Sequence, residues 1–271
     1  MIGFALGILI IEIAGIWDDI KPLKAWAKLL FQIAAAAVVV MFGVRVDFIS
    51  NPFNGEMIFF GNFAIPLTMI WIIGITNAIN FIDGLDGLAA GTASISSLSL
   101  LFIAIFWGEY HVIFLTAALV GATLGFLPFN FNPAKIFMGE AGSAFLGFTL
   151  GTISIMGMIK SYTVIAIVIP LIVLGLPIFD TAFAIIRRVL RGQSPMQADR
   201  GHLHHRLVDA GLTQKQAVLI LYSISAILGL SGLLIVQGMW KVIILFIAIM
   251  IFILAGRKFV IDINNAKEEG K

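Results

Sequence analysis

The sequence of 271 residues contains no cysteine and few charged residues, and each shortage excludes a class of protein. Without cysteine the chain can form neither a disulfide framework nor a thiolate metal site. Charged residues make up 12% of the chain, whereas a soluble domain typically carries about 25%. Too little polar surface is available to cover a water-soluble fold of this length.

Apolar residues are abundant instead, at 60% of the chain, and the mean hydropathy is +1.06. A helix that crosses a membrane needs about 20 mostly apolar residues. The first apolar segment is a helix rather than a signal peptide, because it contains Glu12 and continues into Trp17-Asp18-Asp19. The sequence predicts an all-α, polytopic transmembrane bundle forming one integral membrane domain over residues 1–271, with a short outer-side loop or hairpin around 45–63. About nine segments would span the membrane: 1–17, 28–46, 64–80, 90–107, 111–127, 141–159, 162–186, 215–236 and 240–256.

The basic residues predict the orientation of this bundle. Of 17 lysines and arginines, only Arg45, Lys160 and Lys241 fall on one side of the predicted spans. An excess of Lys and Arg marks the cytoplasmic side. The first segment is therefore expected to run inward, and the C-terminus to lie in the cytoplasm.

Unusual polar residues collect on the same predicted side. Ionisable groups in or beside spanning helices are costly and indicate function by default. A transporter would place such groups near the midplane, between broken helices, whereas these fall at helix ends and favour chemistry at the membrane surface. They are Asp18, Asp19, Asn77, Asn80, Asp83, Asp86, Glu140, Asp180, Asp199, His202, His204 and His205.

The stretch 77–87 carries the strongest of these signals. At 100° per residue, Asn77, Asn80 and Asp83 share one helix face about 120° wide. Gly84 and the glycine at 87 then end the helix and allow a ligand to approach the backbone closely. Carboxylates and carboxamides beside glycines suit a ribose, a base or a hydrated metal; the alternative is an ordinary polar turn.

Two other acidic positions allow a structural or a functional interpretation. Asp18 and Asp19 end a helix, where negative charge opposes the macrodipole and requires a nearby lysine or a metal ion. Glu140 could stabilise the first turn of the helix that follows it, or bind Mg²⁺ as a hard oxygen ligand. From these residues alone the helix-start interpretation of Glu140 is the stronger.

The loop 187–215 combines basic residues with the run His202-Leu203-His204-His205. Adjacent histidines do not suit a zinc site, which usually takes Cys or well-spaced His and Asp ligands. The surrounding arginines favour phosphate binding, although the cytoplasmic bias alone accounts for about half of them.

Four motifs, in order, resemble those of a known family. Asp18-Asp19 is followed by Lys28 and Gln32, and the other three motifs occupy 77–89, 137–143 and 199–207. Together they resemble the polyprenyl-phosphate N-acetylhexosamine-1-phosphate transferases (glycosyltransferase family 4) from about residue 15 to 210. The histidine motif resembles the undecaprenyl-phosphate GlcNAc-1-phosphate transferase branch more than the branch that acts on UDP-MurNAc-pentapeptide.

The resemblance implies transfer of GlcNAc-1-phosphate from UDP-GlcNAc to undecaprenyl phosphate, releasing UMP, as the first membrane step of a cell-envelope polymer. It implies a multi-pass protein of the plasma (inner) membrane whose catalytic face, formed by loops 18–28, 77–91, 129–143 and 187–215, meets the cytoplasm. Membrane lipids and a second copy in a homodimer are expected partners, and nucleic acid is not. The alternatives are a UDP-MurNAc-pentapeptide phosphotransferase of peptidoglycan synthesis and, in another class, a lipid or nucleotide-sugar transporter.

The resemblance also implies roles for single residues. Mg²⁺, for which Mn²⁺ can substitute, would be bound by Glu140 with Asp19 as a second ligand. Asp18 would orient or deprotonate the lipid phosphate. The expected catalytic residues are Asp18, Asp19, Asp83, His204 and His205, and the expected substrate-binding residues are Lys28, Asn77, Asn80, Asp86, Asp199, His202 and Arg206.

Two features depart from the family pattern. The family usually has Asp where this chain has Glu140, a change that keeps the carboxylate but lengthens its side chain. The family also normally begins with two more spanning helices and a cytoplasmic loop between them, so two further apolar segments are expected to be encoded upstream of Met1.

Overall fold

The computed structural model describes residues 1–50, 56–158, 164–193 and 201–239, and it is predominantly helical within them. The helices follow the apolar segments of the sequence, and most end where a glycine or a polar residue interrupts the apolar run. Their bounds are α1 Ile2–Ile20, α2 Ala25–Met41, α3 Ala64–Ile82, α4 Leu88–Trp107, α5 Tyr110–Asn130, α6 Gly139–Met158, α7 Val164–Val173, α8 Gly175–Leu190, α9 Leu203–Asp209 and α10 Gln214–Val236.

The hairpin predicted around 45–63 is confirmed as two short antiparallel strands. Strand β1 (Phe48–Ser50) pairs with β2 (Met57–Phe59), and Phe48 lies opposite Phe59. A single 3₁₀ turn, Gly61–Phe63, leads from β2 into α3.

Four helices of the described chain are long and apolar enough to cross a membrane: Gly61–Ile82, Leu88–Trp107, Tyr110–Asn130 and Gln214–Val236. Helix α1 carries three carboxylates, and α2 has only 17 residues. The four long apolar helices make the chain an integral membrane protein. The count of nine spans stays a prediction. The proposed ninth span, 240–256, lies outside the described residues.

One predicted span is wrong as a continuous helix. Residues 162–186 were expected to form a single segment, but α7 and α8 meet at Leu174 with a bend of 81° between them. Counted together as one broken span, the pair raises the number of membrane-capable elements to five. The bend directs α8, which carries Asp180 near its N-terminal end, along a different course from α7.

The interior of the bundle forms where α6 packs between α1 and α3. The side chains buried there include Ile72 and Ile79 of α3 and Phe148, Leu150 and Ile153 of α6. Gly15 of α1 lies so close to α6 that a Cβ would overlap the backbone of Ala141. This packing brings the C-terminal ends of α1 and α3 beside the N-terminal end of α6.

Candidate active site

A cleft of about 440 Å³ opens where those helix ends meet. Its wall comes from the C-terminal ends of α1, α3 and α5, the turn 83–86, and the segment that enters α6. Five of the acidic or amide residues singled out in the sequence line it: Asp19, Asn80, Asp83, Asp86 and Glu140.

Lys28 links two acidic residues from different helices beside this cleft. Its Nζ lies 2.9 Å from Asp18 Oδ2 and 3.1 Å from Glu140 Oε1. Asp18 is 7% exposed, and its other oxygen accepts a hydrogen bond of 2.6 Å from the backbone N–H of Leu23. Asn80 donates to Glu140 Oε2 at 2.8 Å. The lysine thus compensates the acidic end of α1, as the sequence required.

Asp19 occupies the N-terminal end of α6. Its two carboxylate oxygens accept hydrogen bonds from the backbone N–H groups of Glu140 (2.8 Å) and Ala141 (3.2 Å). Gly139 precedes them at φ +69, and a Cβ there would press on the Asp19 carboxylate. A helix N-terminus leaves N–H groups unpaired and attracts negative charge, so Asp19 caps α6 across the bundle.

Asn77 lies one turn farther from the cleft than Asn80, and it pairs with Gln32 of α2. The two carboxamides exchange hydrogen bonds, at 2.7 Å from Asn77 Nδ2 to Gln32 Oε1 and at 3.2 Å in return. Asn77 also donates to the Ile73 carbonyl within α3. This pair joins α2 to α3 in the interior, and the substrate-binding role of Asn77 stays a prediction.

Asp83 and Asp86 differ in their surroundings. Burial, with the negative charge of Glu140, raises the pKa of Asp83 to about 6. Asp86 is held by two donors, Asn132 Nδ2 and the backbone N–H of Ala134, each 3.0 Å from its Oδ2. Asp86 therefore fixes the turn to the segment after α5, and Asp83 presents a carboxylate to the cleft.

The histidine segment packs against the back of the same turn. His204 is 2% exposed and lies against Gly84, where a Cβ would collide with its Nε2. Neither ring nitrogen of His204 has a hydrogen-bond partner among the described residues. Burial and the neighbouring His205 lower the pKa of His204 to about 4, so its ring is neutral at pH 7. Gly84 is thus needed for the close packing of His204 against the turn.

His202 precedes this short helix and is bound to Asp180 of α8. Its Nδ1 lies 2.8 Å from Asp180 Oδ2, and the backbone N–H of Leu203 donates to Asp180 Oδ1 at 2.7 Å. Asp180 was recognised in the sequence as a polar residue near a helix end, but it was assigned no role. Its position in an apolar segment was the signal that could have identified it.

The remaining predicted residues lie away from the cleft wall. Arg206 is exposed on α9, and His205 is half-buried beside His204. Asp199 lies outside the described residues. Two contributors were not foreseen: Ser143, which accepts a hydrogen bond from Asn80, and Tyr222 of α10, which donates to the Gly87 carbonyl. Tyr222 lies after the four motifs, in the mainly apolar helix α10, and no motif marks it.

The cleft offers oxygen donors that suit magnesium. Within the described residues no three His, Asp or Glu side chains lie close enough together to form a complete metal site. Mg²⁺, however, usually takes one or two carboxylates and completes its shell with water and substrate phosphates. Asp83 and Glu140, both on the cleft wall, fit that requirement, and Asp19 lies beside them with its oxygens already bonded to α6.

The chain is similar to known proteins of one family. The family model for glycosyl transferase family 4 matches residues 1–158. A probable undecaprenyl-phosphate N-acetylglucosaminyl 1-phosphate transferase of Bacillus subtilis is 44% identical, over 93% of this chain and 71% of its own length. A decaprenyl-phosphate N-acetylglucosaminephosphotransferase of Mycolicibacterium smegmatis is 36% identical, over 77% of this chain and 56% of its own length. A phospho-N-acetylmuramoyl-pentapeptide-transferase of Staphylococcus saprophyticus is 34% identical over 79% of this chain and 66% of its own length. Because the family model matches more than half of the chain, this protein belongs to glycosyl transferase family 4.

Proposed function

We propose that this chain transfers N-acetylglucosamine 1-phosphate from UDP-GlcNAc to undecaprenyl phosphate at the cytoplasmic surface of the plasma membrane. The observation that carries the proposal is the cleft with the contacts beside it, which link Asp18, Lys28, Asn80 and Glu140 across four helices next to Asp83. The name of the 44% identical relative supports the acceptor lipid and the sugar phosphate. The lysine and arginine bias of the loops supports the cytoplasmic side.

The location of the cleft suits two substrates of opposite solubility. Polyprenyl phosphate has an apolar chain and an anionic head, and a nucleotide sugar is water-soluble, so the two can meet only at a membrane surface. The cleft lies at the ends of α1, α3 and α6 rather than midway along them. A transporter site would be expected near the midplane.

The reaction is an in-line displacement at phosphorus. An oxygen of the lipid phosphate forms a bond to the phosphorus that carries the sugar, and the bond from that phosphorus to the uridine monophosphate oxygen breaks, with UMP taking the electron pair. Such transfers depend on positioning and charge compensation more than on covalent help from the protein. Mg²⁺, when bound by Asp83 and Glu140, would supply positive charge to the pyrophosphate.

Lys28 would compensate charge from the protein side. It lies between two carboxylates, so Asp18 and Glu140 fix the position of its ammonium group at the cleft edge. The second pKa of a phosphomonoester is near 6, so the lipid phosphate is mostly a dianion at pH 7 and needs no base. Asp18, with both oxygens bonded to Leu23 and Lys28, then acts by orienting Lys28.

The turn 83–87 and the histidine segment would hold the nucleotide sugar. Asn80 and Asp86 present an amide and a carboxylate for the uridine or its ribose. His204, His205 and Arg206, on the far side of the turn, would receive the sugar or the leaving phosphate. Imidazole and guanidinium groups that donate hydrogen bonds stabilise developing negative charge when they are positioned in advance.

A radiolabel assay with the full chain in lipid nanodiscs tests the proposal. Undecaprenyl phosphate is supplied with UDP-GlcNAc or, in parallel, with UDP-MurNAc-pentapeptide, each labelled in the sugar. We expect a chloroform-soluble labelled product and an equal amount of UMP with UDP-GlcNAc only. Product from UDP-MurNAc-pentapeptide alone would place the chain in the other branch. Uptake of intact nucleotide sugar into vesicles without UMP release would identify a transporter.

A further inference from the structure

Asp180 is a carboxylate in the apolar helix α8, and both of its oxygens form hydrogen bonds at the start of α9. Oδ2 lies 2.8 Å from His202 Nδ1, and Oδ1 accepts the Leu203 N–H at 2.7 Å. The side chains of Asp180 and His202 are 7% and 8% exposed. A buried carboxylate is costly unless it is fully hydrogen-bonded, so these two bonds account for its presence.

The bond to His202 determines where that ring carries its proton. An ionised carboxylate can only accept hydrogen bonds, so His202 must donate from Nδ1. Its Nε2 is then the nitrogen that accepts a hydrogen bond or exchanges a proton. Asp180 thus selects one tautomer of His202 and at the same time anchors the first residue of α9.

His202 is the first of several rings that lead from Asp180 to the cleft. Its ring stacks on that of His204, with centroids 5.7 Å apart and an angle of 11° between planes, and it lies 6.1 Å from Phe81 of α3. His204 in turn contacts Gly84, which lines the cleft between Asp83 and Asp86. The orientation of His202 therefore affects the position of His204, which contacts the wall of the cleft directly.

We propose that Asp180 is a positioning residue for the transferase: it holds His202 protonated at Nδ1 and seats the segment 202–205 against the turn 83–87. The role rests on the proposed function, because it concerns how the histidines meet the phosphate and sugar of the donor. Asp180 touches neither substrate. It acts only through His202 and the backbone of α9.

Asp180→Asn separates tautomer selection from simple anchoring. The Asn carbonyl can still accept the Leu203 N–H, while its amide donates to His202 Nδ1 and so moves the ring proton to Nε2. We expect a melting temperature within a few degrees of wild type and a fall in turnover on the order of 10²-fold, because the same change in a protease triad gives the wrong tautomer and lowers kcat about 10⁴-fold. Asp209→Asn, at the exposed end of α9, is the matched control and should keep wild-type turnover.

A double-mutant cycle then tests whether Asp180 acts through His202. In the His202→Ala background, Asp180→Asn should change turnover by no more than about twofold, since the partner is already absent. An undiminished loss in that background, or wild-type turnover of Asp180→Asn alone, would overturn the positioning role while leaving the transferase function intact.

The tautomer can also be read without any turnover. The chain has four histidines, so ring ¹⁵N NMR of histidine-labelled protein in nanodiscs is assignable by the His202→Ala spectrum. Wild type should show His202 protonated at Nδ1, and Asp180→Asn should show the proton at Nε2. An unprotonated Nδ1 in wild type contradicts the inference, whereas a wild-type chain that makes no lipid product counts against the proposed function alone.

Discussion

The two ends of helix α2 carry charge in different arrangements. At its start, Lys28 joins Asp18 of α1 to Glu140 of α6, so one ammonium group connects three helices. Beyond its end, Arg45 pairs with Asp47 only two residues away, at 2.8 Å, and both side chains are about half exposed. The first arrangement fixes groups from distant parts of the chain around a cleft, and the second is a local surface pair. A charged residue that belongs to a site thus differs from a surface ion pair because it joins residues that are distant in the sequence.

Replacing Glu140, at the cleft end of α2, is expected to lower turnover the most. Glu140→Gln keeps a partner for Asn80 but removes the charge that faces Lys28, and turnover should fall on the order of 10²-fold or more, as for loss of one preorganised electrostatic group. Glu140→Asp should keep substantial activity. The measurement is a Mg²⁺ titration of the transferase reaction with variants of equal thermal stability, with chelator addition as a further check.

The outcome decides between the two interpretations of Glu140. If it serves only to stabilise the start of α6, Glu140→Gln costs about 0.3–1 kcal/mol of stability and leaves turnover and the Mg²⁺ requirement unchanged. Wild-type behaviour of this variant would leave Asp83, with Asp19 beside it, as the leading candidate for the metal.

Lys28→Met tests the connection itself. Hydrogen bonds to charged groups contribute about 1.5–3 kcal/mol, so turnover should drop about 10-fold to 10²-fold. Arg45→Met removes the same type of charge at the opposite end of α2, where an exposed pair contributes about 0–1 kcal/mol. Equal losses in the two variants, measured at saturating substrate, would show that position at the cleft confers no special role.

Gly84→Ala asks whether the histidine segment must lie against the turn. The added Cβ meets His204, and overpacking of this kind costs about 1–3 kcal/mol of stability. Because the new methyl group pushes His204 away from the turn, turnover should also fall about tenfold. Gly74→Ala in helix α3, which precedes that turn, has nothing within 4 Å of the new methyl group and should be neutral or slightly stabilising. Thermal melts and initial rates of the pair give the comparison.

The smallest effect is expected at Tyr222, which supports the cleft from outside. Tyr222→Phe removes the hydrogen bond to the Gly87 carbonyl but keeps the ring that packs on Gly91. Stability should fall by about 0.5–1.5 kcal/mol, with turnover within about threefold of wild type. A loss of turnover as large as that of Glu140→Gln would show that α10 is part of the site and not only a supporting element.

The sequence predicted the helices well because apolar runs of spanning length leave the backbone little choice but to bond internally. It did not predict the bend at Leu174, since residues 162–186 read as one continuous apolar run that contains two prolines. It located Asp83, Asp86 and Glu140 through their motifs. The capping of α6 by Asp19 and the pairing of Asn77 with Gln32 depend on which helices pack together, and a single sequence does not contain that information.

Asp180 shows the same limit from the other direction. It was visible as a polar residue in an apolar segment, yet its partner His202 lies 22 residues farther along the chain. Local spacing could not pair them. The bend between α7 and α8 had to be known before the carboxylate could be placed under the histidine segment.

The Asp19 bonds to α6 have a mechanical consequence. Asp19 holds the first N–H groups of α6, and one turn earlier Gly15 rests on the backbone of Ala141. Helices α1 and α6 are therefore coupled at two adjacent points and should move as a rigid unit that carries Glu140 with it. Any opening or closing of the cleft during a catalytic cycle is then expected from the rest of its wall. That part includes the turn 83–86, behind which the short helix α9 packs through His204 rather than through a backbone clamp.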